Sequence, residues 1–289
     1  MTAQAVIPGQ VRVVTRFAPS PTGRLHLGHA MSAILAHDLA RAAGGIFLLR
    51  IEDIDLARCR EEYVATILAD LAWLGVAWDG AVVRQSSRLP LYAAALERLR
   101  AQDLVYPCFC TRAEIAASAS APHGSDGAVY PGTCRSVREP DLSRPHCWRL
   151  DMARATAIAG PLCWTDHGTA IVAAPLAQGD VVLARKDAPS SYHLAVTVDD
   201  ADQGVTDIVR GVDLFAATHV HRLLQALLGL STPRYHHHAL LTDDAGERLA
   251  KRTGAPSLAA MREAGADGRA LAASLVHGGR PPSTALQAT

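Results

Sequence analysis

The chain contains no run of about 18 apolar residues, so no segment reads as a membrane span. Its first ten residues, MTAQAVIPGQ, lack the charged start and long apolar core of a secretory leader. The expected compartment is therefore the cytoplasm. Neither sign of charge is in excess: 28 Lys and Arg face 28 Asp and Glu in 289 residues, a formal net charge of zero. Such a balance gives no sign of a strongly basic nucleic-acid binder, and a polyanionic partner would have to meet a local patch. No internal repeat is visible. Cysteine is sparse, with six residues. In a reducing compartment these point to metal binding or simple burial rather than a disulfide framework.

What is present is globular: 49% apolar and 19% charged residues, and enough chain for one large domain or two modest ones. Residues 11 to 17, VRVVTRF, read as a strand. After a turn, LGHAMSAILAHDLARAAGG reads as a helix stopped by Gly44 and Gly45. IFLLRIED has the apolar continuity of a strand buried on both faces. EEYVATILADLAWLGV and RLPLYAAALERLRAQ are helical patterns. Strand and helix in alternation predict a parallel sheet with helical crossovers. Residues 1 to 106 form the first half of this α/β unit. A cysteine-bearing, loop-like insertion spans 107 to 147, and strand and helix patterns resume over 148 to 230. Residues 231 to 289 carry a basic loop and a short helical end.

The segment RFAPSPTGRLHLGHA, residues 16 to 30, joins the first strand to the first helix. A helix N-terminus offers unpaired N–H groups and partial positive charge, which suits an anion. Gly23 and Gly28 would let a nucleotide approach the backbone. His26 and His29, three apart, share one helical face and can donate to phosphate oxygens. Taken alone, an H-x-G-H is as readily two surface histidines.

With its flanking RFAPSPTG, the segment resembles the HIGH signature of class I aminoacyl-tRNA synthetases, in the form found in the glutamyl and glutaminyl branch. The second signature of that class, a lysine loop, is matched in part by GERLAKRTGA, residues 246 to 255. Lys251 stands where the second lysine of KMSKS would be. Arg248 replaces the first lysine and Ala250 the serine. The resemblance implies a Rossmann-like doubly wound parallel sheet that binds ATP, with Pro19, Gly23, His26, Gly28, His29 and Lys251 at the nucleotide and His26, His29 and Lys251 catalytic. Mg²⁺ is expected with the triphosphate.

LLRIEDID places Glu52, Asp53 and Asp55 at a strand end, where ligands bind in open α/β sheets. A carboxylate there can receive an ammonium group, and an acidic substrate side chain needs an arginine. Arg16 and Arg210 are the candidates by position, with Tyr192 adding a hydroxyl. By resemblance these three, with Ala18, Ser20 and Glu52, form a site for L-glutamate.

Cys108, Cys110 and Cys134 lie in a compact insertion, and three thiolates so spaced suit zinc. Chemistry alone leaves His123, His146, Cys147 and Tyr130 open as the fourth donor. A subgroup of short glutamyl-synthetase-like proteins has C-x-C followed by Y-x-x-x-C, with the tyrosine as ligand. That resemblance implies Cys108, Cys110, Tyr130 and Cys134 around one structural Zn²⁺. Cys59 and Cys163 read as buried and unliganded.

Only about 35 residues follow the lysine loop, too few for the anticodon-binding domain of a full glutamyl-tRNA synthetase. This architecture is similar to the glutamyl-queuosine tRNA(Asp) synthetase family. The resemblance implies ATP-dependent activation of glutamate and its transfer to queuosine at the wobble position of tRNA(Asp). The alternatives are a truncated glutamyl-tRNA synthetase charging a tRNA 3′ end, a small-molecule adenylyltransferase, and an inactive zinc-containing RNA-binding module. Nothing in the sequence demands a dimer, and a monomer is expected.

Overall fold

The computed structural model describes residues 12–111, 113–115, 129–241 and 256–276. The fold is built around two runs of parallel strands. β1 (Val14–Phe17), β2 (Ile46–Ile51) and β3 (Val83–Arg84) pair in that order, all parallel. In the second half β9 (Asp207–Gly211), β10 (Arg234–His238) and β6 (Cys163–Asp166) are parallel, and β7 (Thr169–Val172) turns back antiparallel on β6. The two runs meet between β1 and β9. There the Thr206 N–H donates to the Val14 carbonyl at 2.9 Å, and the Val14 N–H donates to Thr206 Oγ1 at 2.8 Å. The order across both runs is therefore β3-β2-β1-β9-β10-β6-β7, and the direction of winding reverses at β1 and β9.

α1 (Leu27–Ala42) packs under β1, β2 and β9, burying Ala30, Ala33, Ile34, Ala36 and Ala40. Small alanines on that face let the helix lie close to three strands. It ends as the two glycines predict. Gly44 has φ +59°, and a Cβ on Gly45 would stand 2.2 Å from the Val13 carbonyl oxygen, so no other residue fits that return to β2. The strand expected from residue 11 begins at Val14 among the described residues.

α2 (Glu61–Trp73) and α3 (Leu89–Arg100) follow β2 and β3. The core beside α1 holds Phe47, Leu49, Ile51, Ile67 and Leu71. Two C-terminal helices, α7 (Leu258–Glu263) and α8 (Gly268–Val276), complete it with Leu258, Met261, Leu271 and Leu275. Each such buried side chain contributes about 1.5–3 kcal/mol. These two helices are thus part of the core beside α1 and not an appendage.

α4 (Met152–Ala159), α5 (Tyr192–Asp202) and α6 (Phe215–Leu227) belong to the second half. Beside the main sheet lies an antiparallel one of β4 (Val105–Cys108), β5 (Cys147–Leu150) and β8 (Val182–Ala184). Cys108 pairs with Cys147, so the two ends of the cysteine-bearing segment meet at its base. Asp180 fastens this sheet: its carboxylate accepts from the Tyr106 hydroxyl, from Arg135 Nε at 3.0 Å and from the Met152 N–H at 2.9 Å.

Candidate active site

A cavity of about 430 Å³ opens beyond the carboxyl ends of β1 and β9, where the winding reverses. Ligands of open α/β sheets bind in this crevice. Arg16, Ala18, Pro19 and Ser20 reach it from the end of β1, and His26, Gly28 and His29 from the start of α1. Glu52 follows β2, Tyr192 starts α5 and Arg210 lies in β9. One segment after β1 thus supplies residues expected for both reactants. Gly23 lies in the preceding turn and does not line the cavity. Lys251, Arg248, Ala250 and His123 lie outside the described residues.

His26 is the N-cap of α1, and its Nδ1 accepts the Gly28 N–H at 3.1 Å. His29 Nδ1 accepts the His26 N–H at 3.2 Å, closing a reciprocal capping box. A ring nitrogen that accepts cannot carry a proton, so both neutral rings hold theirs on Nε2. The rings lie 3.7 Å apart, centroid to centroid. The backbone thereby sets two imidazole donors beside a helix terminus, an arrangement suited to phosphate.

The acidic end is a network of buried ions. Arg50 is fully buried and donates to Asp200 at 2.9 Å, to Gln203 at 2.8 Å and to Glu52 at 3.2 Å. Arg16 grips the other side of Asp200 through Nε at 3.0 Å and Nη2 at 3.3 Å. Burial opposes ionisation of Asp200, yet Arg16 and Arg50 hold its carboxyl below the usual range. Glu52 differs. Burial raises its pKa, and Arg50 and Arg16 offset this only in part. A carboxylate whose charge is so poorly solvated gains from an incoming ammonium group.

Arg210 is 4% exposed and has no carboxylate partner among the described residues. Its Nε donates to His237 Nε2 at 3.2 Å. Nη1 donates to His221 Nδ1 and to the Tyr192 hydroxyl, both at 3.4 Å, and Nη2 to Thr218 Oγ1 at 2.5 Å. Every partner is neutral. A buried cation without a counter-charge is costly, and an anionic group entering the cavity would complete it.

The cysteine segment gathers a second site. The sulfur atoms of Cys108, Cys110 and Cys134 all lie within 4.8 Å of one another. Cys110 and Cys134 are 3.6 Å apart, and the Tyr130 hydroxyl lies 3.4 Å from Cys108 and 3.7 Å from Cys110. Thiolates held at about 2.3 Å by a tetrahedral zinc stand about 3.8 Å apart, and a sulfur–oxygen edge is about 3.5 Å. The donor set and its spacing therefore fit zinc. His146 turns its Nδ1 to the Arg144 carbonyl at 2.8 Å, and Cys147 directs its thiol at the Cys108 carbonyl at 3.5 Å. Neither joins the cluster. Arg149 stacks over the Tyr130 ring at 3.9 Å, which fixes the tyrosine's place.

The sequence matches the family model for tRNA synthetases class I (E and Q), catalytic domain, over residues 12–287. The chain belongs to that family. This class I synthetase is 54% identical over 267 residues to the Glutamyl-Q tRNA(Asp) synthetase of Rhodobacter capsulatus, covering 88% of this chain and 96% of the relative. It is 48% identical to the protein of the same name from Deinococcus radiodurans, covering 90% and 87%. Among solved structures it resembles a glutamate tRNA ligase from Elizabethkingia meningosepticum in complex with its amino acid. The TM-score is 0.71 at 28% identity, over 84% of this chain and 53% of that one. The synthetase thus spans about half the length of that ligase. No helix among its described residues is long and apolar enough to cross a membrane.

Sequence reading missed several residues of this synthetase's site. Arg50 sits inside the quoted LLRIEDID and ties Glu52 to Asp200, yet reads as one residue of an apolar run. Of the three acids there, only Glu52 lines the cavity. Asp53 accepts from Ser86 N–H and Oγ, both at 2.8 Å, and Asp55 from Arg58 at 2.7 Å and Arg185 at 3.0 Å. Ser32 and His238 also line the cavity, 2.7 Å apart. The run HHH in β10 held the missing signal. Strand alternation puts His237 on one face, against Arg210, and His236 and His238 on the other. The expected burial of Cys163 is corrected: it is exposed, as the first residue of β6 at the end of the β6–β7 pair remote from the turn, where its partner is Val172. Cys59 is half-buried.

Proposed function

We propose that this synthetase activates L-glutamate with ATP and transfers the glutamyl group to queuosine at the wobble position of tRNA(Asp). The observation that carries the first step is Arg210, a buried cation at the cavity held, among the described residues, only by neutral partners. The side-chain carboxylate of glutamate supplies the missing charge, with Tyr192 beside it, and Glu52 receives the α-ammonium. Arg16, Ala18 and Ser20 form the wall between them. The acceptor is assigned because the relatives that share 54% and 48% of its residues over most of their length carry that tRNA in their names.

In the first step an oxygen of the glutamate α-carboxylate attacks the α-phosphorus of ATP, and the bond to pyrophosphate breaks. His26 and His29 donate through Nε2 to the developing phosphate charge, aided by the positive end of the α1 dipole and by Lys251. Pro19 and Gly28, which line the cavity, give the nucleotide room against the backbone. In the second step a hydroxyl of the queuosine ring attacks the activated carbonyl and AMP leaves, its phosphate taking the hydroxyl proton. Mg²⁺ accompanies the triphosphate. Cys108, Cys110, Cys134 and Tyr130 would hold one Zn²⁺, closed and structural, which pins the segment beside β4 and β5. The compartment is the cytoplasm.

The first step is tested by glutamate-dependent exchange of labelled pyrophosphate into ATP without tRNA. Exchange with glutamate is expected. Its absence would sink the reading in favour of an adenylyltransferase for another substrate.

A further inference from the structure

We infer that His221 and His237 are positioning residues that make Arg210 selective for a carboxylate over an amide, by holding its guanidinium with uncharged acceptors alone. The inference rests on the proposed activation of glutamate.

A guanidinium has five N–H donors and accepts nothing. Each of its partners must therefore present a lone pair. His237 Nε2 and His221 Nδ1 both do so, at 3.2 and 3.4 Å, which leaves neither of these nitrogens a proton. Each ring then carries its proton on the other nitrogen, and the structure supplies a partner for each. His237 Nδ1 lies 3.0 Å from Asp166 Oδ1, which also accepts the backbone N–H of His237 at 3.0 Å. His221 Nε2 lies 3.2 Å from Nδ1 of His193. Two arms thus radiate from Arg210, one ending on Asp166 and the other on His193. Both inner rings are buried, at 8% and 2% exposure.

The consequence is electrostatic. The acid tied to this arrangement, Asp166, is kept one imidazole away from the guanidinium. The neighbouring cations Arg16 and Arg50 are bound directly by Asp200. Four elements surround Arg210: α5 with Tyr192 and His193, α6 with Thr218 and His221, β10 with His237, and β9 itself. Among the described residues none sets a carboxylate against it. A substrate carboxylate therefore meets a cation not yet neutralised, and a charge-assisted pair is stronger than a neutral one. A substrate amide finds the same donors without the charge gain. Selection of glutamate over glutamine is then a property of the rings behind Arg210.

The test uses isosteres. An Asn or Asp oxygen reaches the position of a histidine Nδ1, and a Gln oxygen that of Nε2. His221→Asn and His237→Gln keep a neutral acceptor. His221→Asp places a counter-charge on Arg210. Each variant is assayed by pyrophosphate exchange with glutamate and with glutamine, and by circular dichroism for folding. His221→Asn and His237→Gln should keep the glutamate preference within about five-fold. His221→Asp should raise KM for glutamate and cut the preference by about a hundred-fold, with KM for ATP unchanged. Equal loss in His221→Asn and His221→Asp, or an unaltered preference in His221→Asp, overturns the inference. Failure of the wild-type chain to exchange with glutamate would instead remove the activity on which it rests.

Discussion

Arg50 and Arg210 are both buried arginines, 0% and 4% exposed, but they stand in opposite electrostatic situations. Arg50 contacts Asp200 at 2.9 Å, Glu52 at 3.2 Å and Asp199 at 3.6 Å. Replacing it by methionine leaves those acids short of a cation. Asp199 keeps Arg88 and Tyr92, and Asp200 keeps Arg16, but Glu52 keeps no hydrogen-bonded cation among the described residues. Breaking one side of a buried ion network costs about 3–5 kcal/mol. Arg210→Met removes a desolvated charge with no counter-ion among the described residues, which is a gain. Against it stand the orphaned acceptors on His221, His237, Thr218 and Tyr192. Thr218 Oγ1 already lies 3.2 Å from His237 Nε2 and can donate to it. The net cost of Arg210→Met is therefore no more than about 1–2 kcal/mol. Urea denaturation followed by tryptophan fluorescence measures both. Glutamate should raise the denaturation midpoint of the wild type and leave that of Arg210→Met unmoved. An Arg210→Met destabilisation as large as that of Arg50→Met would refute the reasoning, since Arg210 would then be compensated in the free protein.

Acid should weaken the fold around the same residues. Burial holds His193 and His237 at about 4, below their ordinary 6.5, and also lowers His221 well below its ordinary range. The unfolded chain binds these protons first as pH falls from 6.5 toward 4, so stability is present above 6.5 and is lost across that window. Thermal unfolding should show net proton uptake of two or more, as an estimate of about that size from three depressed imidazoles, near pH 5; pH-independent melting between 7 and 5 would contradict it. Zinc analysis should find about one ion per chain, and Cys110→Ser should lower both zinc content and the melting temperature; an unchanged metal content would exclude the cluster as the site. His29→Ala should slow pyrophosphate exchange by about 10²–10³-fold, with only the modest fall in melting temperature that loss of the capping bond brings; a loss below ten-fold would remove His29 from the reaction.

The parts of the fold visible in the sequence are those written in local patterns. IFLLRI announces a strand buried on both faces, and Gly44 and Gly45 announce the end of α1. His26 and His29 sit at a helix N-terminus, and the sequence order of strand, turn and helix is enough to place them there. What stayed hidden depends on partners far apart in the chain. Arg16 and Arg210 look alike as residues, and only the pairing of Arg16 with Asp200, 184 positions away, separates a balanced arginine from an unbalanced one. The Asp166–His237 contact spans 71 positions and lies between two strands brought together by the second winding of the sheet. Asp180 fastens the cysteine-bearing sheet through Tyr106, 74 positions away, and Met152, 28 positions away.

Pairing of glutamate activation with a modified anticodon base is tested by locating transferred label on the tRNA. Labelled glutamate, ATP and the synthetase are incubated with tRNA(Asp) from cells that make queuosine and from cells that do not, and the products are cut with ribonuclease to locate the label. The account predicts label on the anticodon-loop fragment of the queuosine-bearing tRNA alone. Label on the 3′ terminal adenosine, or on tRNA(Asp) lacking queuosine, would contradict it.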